Sequence, residues 1–162
     1  MILSRDSIST RKQQDYKDLI AQINALIEPE TNLIANLSNI IALLKNTFNW
    51  LWVGIYFKDQ DDLVLGPFQG PVACTRIPIG KGVCGQCALL NESIIVPNVE
   101  DFKGHIACSS LSKSEIVVPI TDTNGQFIAL IDIDSDELDH FDTIDQTNLE
   151  YISRIIKEKH YA

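Results

Sequence analysis

Residues 78–88 read PIGKGVCGQCA, and the way this stretch is read decides the fold. Gly80, Gly82 and Gly85 form G-x-G-x-x-G, the dinucleotide-binding fingerprint, and Asp101 follows 21 residues after Gly80, where a ribose-binding acid belongs. Cys84 and Cys87 form C-x-x-C, a redox or metal pair. On a third reading the glycines only shape a loop, and one of the two cysteines matters. The segments on either side discriminate among these readings.

Upstream, WLWVGIYF (50–57) is aromatic and β-branched, KDQDD (58–62) is a turn and LVLGPF (63–68) a second strand, which makes a hairpin. VACTRIPI (72–79) predicts another strand, with Cys74 inside it, and KGVCGQCALLN (81–91) a short helix. SIIVP (93–97) is a strand, and residues 98–114 form a long polar segment without periodicity, of the kind that is often functional in a compact domain. EIVVPITDTNGQFIALIDIDS (115–135) is a hairpin turning at Asn124-Gly125. A Rossmann unit needs repeated strand–helix–strand crossovers, and hairpins with one short helix do not supply them.

Two helices are predicted at the N-terminus. Thr10 caps the first, which presents Leu19, Ile20, Ile23 and Leu26 on one face and ends at Pro29. The second runs from about Thr31 with Leu33, Ile34, Leu37, Ile40, Ile41 and Leu44 at helical spacing. FDTIDQTNLEYISRIIKEKH (141–160) closes the chain as an amphipathic helix with Ile144, Leu149, Ile152, Ile155 and Ile156 inward. The result is an α+β fold, residues 1–162 as one domain, with a mostly antiparallel central sheet. N-terminal helices occupy about residues 10–47, sheet and loops about 50–136, and the final helix about 142–159.

The composition agrees with such a domain. Of 162 residues, 45% are apolar and 22% charged, enough to build a core without a metal. The apolar stretches are interrupted and fall short of the roughly 18–20 residues of a membrane helix. The first residues lack the apolar core of a signal peptide. The expectation is a soluble, cytoplasmic protein with no membrane partner. Thirteen basic against 22 acidic residues give a net charge of −9, which argues against nucleic acid as a partner. Four cysteines in such a chain suggest catalytic thiols, metal ligands or inert core residues rather than permanent disulfides.

For a metal, Cys84-x-x-Cys87 followed by His105-x-x-Cys108 offers four zinc-type donors, but leaves Cys74 unexplained. A different constellation lies in the last hairpin. Asp132 and Asp134, two apart on a strand, project from one face, while Ile131 and Ile133 take the other. Glu115 starts the partner strand, close enough to join them. Three crowded carboxylates repel one another, which should raise at least one pKa. Such a cluster binds a cation, holds a proton for donation, or sits idle on a wet surface. The residues alone thus give exposed thiols opposite a carboxylate cluster.

Taken together, LGPFQGPVACTRIPIGKGVCGQC, FKGHIACSS, SEIVVPI and LIDIDS resemble the free methionine-(R)-sulfoxide reductases, enzymes built on a single GAF domain. The resemblance runs from about Thr31 to the last helix. It implies that Cys108, in GHIAC, is the nucleophile that attacks the sulfoxide, that Cys74, in ACTRI, resolves the product, and that Cys84, in GVCG, is an auxiliary thiol. It implies substrate contacts at Glu115, Asp132 and Asp134, and an aromatic wall at Trp52 and Tyr56, with Trp52 preferred to Trp50 because it keeps the W-V-G-x-Y spacing. Cys87 stands where the family usually has a small residue such as alanine, so it reads as packing. His105 reads either as a stabiliser of the Cys108 thiolate or as a turn histidine. Cys84, near a helix start, could have a lowered pKa.

The implied activity is thiol-dependent reduction of free L-methionine-(R)-sulfoxide to L-methionine, through a cysteine sulfenic acid and an intramolecular disulfide that thioredoxin recycles. No metal or cofactor is implied beyond the external dithiol. The amphipathic terminal helices permit a homodimer. The alternative is a GAF sensor module in which the pocket binds a small ligand without catalysis; such modules are usually joined to an output domain.

Overall fold

The computed structural model describes residues 5–162. Helices α1 (Arg5–Ile27) and α2 (Leu33–Phe48) precede strands β1 (Trp52–Asp59), β2 (Asp62–Gln69) and β3 (Arg76–Pro78). Helix α3 (Gly82–Leu90), strand β4 (Ile94–Val96), a 3-10 turn at Val99–Asp101, strands β5 (Ser114–Thr121) and β6 (Phe127–Ser135), and helix α4 (Thr143–His160) follow. The six strands form one sheet in the order β3-β2-β1-β6-β5-β4, with every neighbouring pair antiparallel. This is the α+β arrangement that the hairpins predict.

Helix α1 already runs through Thr10, so Thr10 is not its cap; with no glycine or proline between residues 5 and 27, nothing stops the helix there. Its inward face is Tyr16, Leu19, Ile23 and Ile27, a three-to-four-residue spacing that leaves Leu26 44% exposed. Asn32 caps α2 by accepting from the Ala35 N–H at 3.0 Å. On α2, Leu37, Ile40, Ile41 and Leu44 are buried and Ile34 faces out. Strand β3 is only three residues long, and Cys74 lies before it in irregular chain, because Thr75 uses its carbonyl to bind Leu65 and regular pairing begins at Arg76.

The alternation of β1 and β6 builds a core on each face of the sheet. Val53, Ile55, Ile131 and Ile133 point to the face covered by α1, α2 and α4, together with Ile116, Val118 and Ile120 of β5. Trp52, Tyr56, Leu130 and Val117 point to the other, where α3 supplies Val83, Cys84, Cys87 and Ala88. Helix α4 starts with a capping box in which Asp142 and Asp145 satisfy each other's backbone N–H groups. The buried Asp145 also accepts from the Tyr16 hydroxyl at 2.8 Å and pairs with Lys12, which fastens α1 to α4. Among the described residues, no helix is long and apolar enough to cross a membrane.

In the opening stretch Gly80 and Gly82 take left-handed backbone conformations, and Gly85 serves packing. Gly85 sits on the first turn of α3, where its carbonyl accepts from the Gly80 N–H at 2.8 Å. A Cβ on Gly85 would lie 2.5 Å from the Pro78 carbonyl oxygen, a backbone atom that cannot move aside. We expect Gly85→Ala to cost about 1–3 kcal/mol of stability, as overpacking typically does, read by thermal denaturation. An unchanged midpoint would mean that α3 is not held this closely.

Candidate active site

One pocket lies on the α3 face of the sheet, enclosing about 510 Å³ with its open mouth included. Three layers build it. The floor comes from the two central hairpin strands: Asp132 and Asp134 on β6 and Glu115 on β5, with Glu115 paired directly against Asp134. The wall comes from Trp52 and Tyr56 on β1, whose rings stack with centroids 6.0 Å apart. The rim comes from two loops, residues 70–75 and 102–113, which carry Cys74 and Cys108.

The wall anchors the first rim loop. The Trp52 indole N–H donates to the Pro71 carbonyl at 3.1 Å, and the Tyr56 hydroxyl donates to the Cys74 carbonyl at 2.8 Å. Gly54 makes this possible, because the Trp52 ring lies across it and a Cβ there would sit 2.1 Å from the indole. Trp50 is placed elsewhere, in the opposite core, stacked on Phe48.

Cys74 and Cys108 are joined in a disulfide, with Cα atoms 5.2 Å apart. That bond rules out the Cys84, Cys87, His105, Cys108 quartet as a zinc site in this state, since a disulfide sulfur is no thiolate ligand. Cys84 and Cys87 remain free thiols and both are buried, which for Cys87 agrees with its reading as a packing residue. Cys84 is not an acidified thiol: burial, reinforced by Asp132 and Glu115, pushes its pKa well up. The N-terminal end of α3 does not offset three nearby carboxyl groups. Cys87, fully buried in the same core, is likewise pushed up by burial, with Asp132 and Glu115 adding to it.

The floor behaves as crowded carboxylates should. Burial and then the neighbouring Asp134 raise Glu115 well above the ordinary carboxylate range, and the same two causes plus Glu115 raise Asp132. Asp132 and Glu115 face each other across the floor, with carboxylate oxygens within 4.8 Å. Asp134 is raised by burial but held back by the Ser112 hydroxyl, which donates to its Oδ1 at 2.5 Å. Cys84 Sγ stands 3.8 Å from Glu115 Oε1. His105 faces the floor, with Nε2 3.7 Å from Glu115 Oε2, so it belongs to the carboxylate side of the pocket. The idle wet-surface reading therefore fails, because Asp132 and Glu115 are each only 6% exposed.

Sequence reasoning missed Ser112, Ile106 and Val72, which also line the pocket. They sit in aperiodic loops, and only the three-dimensional return of residues 102–113 over the β5–β6 floor brings them in.

A helix-flanked antiparallel sheet with its pocket between sheet and short helix defines the family once the sequence is compared. The GAF domain profile matches residues 32–157. The chain belongs to the GAF domain family. Within that family this GAF domain is 44% identical over 139 residues to the free methionine-R-sulfoxide reductase of Escherichia coli, covering 85% of this chain and 84% of that protein. It is 38% identical over 160 residues to the free methionine-R-sulfoxide reductase of Saccharomyces cerevisiae, covering 94% and 89%. The X-ray structure of free methionine-R-sulfoxide reductase from Neisseria meningitidis in complex with its substrate resembles this GAF domain with a TM-score of 0.87 at 46% identity, covering 89% of this chain and 87% of that one.

Proposed function

We propose that this GAF domain reduces free L-methionine-(R)-sulfoxide to L-methionine. The observation that carries the reading is a redox-competent cysteine pair, Cys74–Cys108, on the rim of a pocket floored by buried carboxyl groups. The names of its relatives support the substrate and its stereochemistry.

Reduction of the rim disulfide frees Cys108, whose thiolate attacks the sulfoxide sulfur. The S–O bond can break only if the departing oxygen is protonated, and a carboxylic acid kept neutral by burial and like charge supplies that proton. Asp132 suits this role best, because both Asp134 and Glu115 disfavour its ionised form. The oxygen is passed to Cys108 as a sulfenic acid, methionine leaves, and the Cys74 thiol condenses with the sulfenic acid to give the disulfide and water. An external dithiol then takes up the oxidation by thiol–disulfide exchange; thioredoxin, in a reducing cytoplasm, fits that requirement.

Asp134, whose rise on burial is opposed by the Ser112 hydroxyl and by His105, is the floor carboxyl group best suited to hold the ammonium of a free amino acid. The indole of Trp52 and the Tyr56 ring suit the S-methyl end through S–aromatic contact. An enclosed, acidic floor accepts a free ammonium and rejects a peptide-bound residue, which has none.

The test is methionine release from the separate R and S sulfoxides of free methionine and from a peptide-bound sulfoxide, with dithiothreitol and then thioredoxin. Turnover confined to the free R form is the expected result. A folded, fully reduced protein that turns over none of them would overturn the reading and leave the pocket as a ligand sensor.

A further inference from the structure

We infer that the pocket floor is also a binding site for a divalent cation of the zinc class, held by Cys84, Glu115 and Asp132. One potential ligand atom from each of these three residues lies within 4.8 Å of the others, and all three residues are buried. Zinc ligands at about 2.0–2.3 Å stand roughly 3.3–3.8 Å apart around a tetrahedral ion. The 3.8 Å between Cys84 Sγ and Glu115 Oε1 already meets that spacing, so closing on an ion needs side-chain adjustment of about 1 Å.

A second observation points to a ligand at this place. Asp132 Oδ1 is buried with no hydrogen-bond partner among the described residues, on a side chain only 6% exposed that lines the pocket. An orphaned buried oxygen carries a desolvation cost that a coordinated cation would relieve. His105, with Nε2 3.7 Å from Glu115 Oε2, stands beside this trio but outside the group whose ligand atoms lie within 4.8 Å of one another, which leaves the fourth position of a tetrahedral ion to solvent. A sulfur beside two carboxylate oxygens favours zinc and its neighbours over magnesium or calcium, which prefer all-oxygen sites.

This set differs from the cysteine–histidine quartet of the sequence motif, sharing only Cys84 with it. The reaction proposed above has no step that uses an ion. The ion would occupy the side chains that the reading above gives to proton donation, so metal and substrate would exclude each other. That consequence rests on the proposed function; the metal site itself does not.

The test uses the metal-free full chain with the Cys74–Cys108 disulfide intact, so that Cys84 and Cys87 are the free thiols. Zn²⁺ is titrated calorimetrically, and Co²⁺ is followed by its thiolate charge-transfer absorption. We expect one equivalent of Zn²⁺, a charge-transfer band with Co²⁺, and loss of that band in Cys84→Ser with affinity lowered about 100-fold, of the order that altered metal shells produce. Asp132→Asn weakens binding without removing the band, and Cys87→Ser changes neither. Circular dichroism confirms that each variant folds, and if Cys84→Ser does not, Asp132→Asn carries the test. Absence of saturable binding, or binding indifferent to both Cys84→Ser and Asp132→Asn, would overturn the inference. Because no readout depends on turnover, failure here and failure of the proposed reaction are separable.

Discussion

Cys108→Ser abolishes methionine release, with turnover lowered by about 10⁴-fold or more, the scale on which loss of a nucleophile acts. The serine hydroxyl ionises far above the range of a thiol, and it has no route to a sulfenic acid or a disulfide. The fold should survive, since Cys108 sits on a rim loop and is only partly buried. The decisive comparison is with Cys74→Ser. That variant keeps the nucleophile, so a pre-reduced sample should release about one methionine per chain in a single turnover and then slow. Retained multiple turnover in Cys108→Ser, or loss of the first turnover in Cys74→Ser, would exchange or remove the assigned roles.

Asp132→Asn should lower turnover by about 10³-fold, within the range that positioned acids contribute. An amide matches the shape of the acid and cannot deliver its proton. The same residue sets a dependence on pH whose sign follows from its raised pKa. As a general acid it acts while protonated, so the wild-type rate falls as pH climbs through the raised value. Stability follows the same direction. The folded state keeps a proton that the unfolded chain releases near the ordinary aspartate value of about 3.9, so the stability contributed by burying the neutral acid is complete below that value and is lost as pH rises towards the folded pKa. Melting temperatures between pH 4 and pH 8 should therefore fall more steeply in the wild type than in Asp132→Asn. Parallel profiles would mean that Asp132 is not the buried acid.

Much of this architecture can be read from the sequence, for reasons that particular residues make plain. The hairpin 115–135 announces itself through strict alternation and Asn124-Gly125, and that alternation alone puts Asp132 and Asp134 on one face with Ile131 and Ile133 on the other. Where the signal fails, a tertiary contact has intervened. Thr10 looks like a cap but lies inside α1, because a capping side chain is also an acceptable helical residue. Cys74 reads as part of a strand, yet Tyr56 and Trp52 hold its loop away from regular pairing. Cys84 reads as an acidified thiol at a helix start, and only the packing of α3 onto the carboxylate floor reverses that expectation. His105 gave no indication that its partner would be Glu115, ten residues away and on another element.

The pairing of β5 with β6 also bears on how this chemistry can be inherited or lost. On β6, successive side chains belong by turns to the hydrophobic interior and to the reacting pocket: Ile131, Asp132, Ile133, Asp134. A slip of one residue would send both aspartates into the aliphatic core and both isoleucines into the pocket. Such a misaligned chain could not fold stably, because it would bury unpaired charge where Ile116 and Val118 now pack. Active and inactive alignments therefore do not coexist as competing folded forms. An insertion or deletion in the distant turn at Asn124-Gly125 would be screened first for solubility and only afterwards for catalysis, so quality control at the level of folding protects a set of carboxyl groups at the other end of the hairpin.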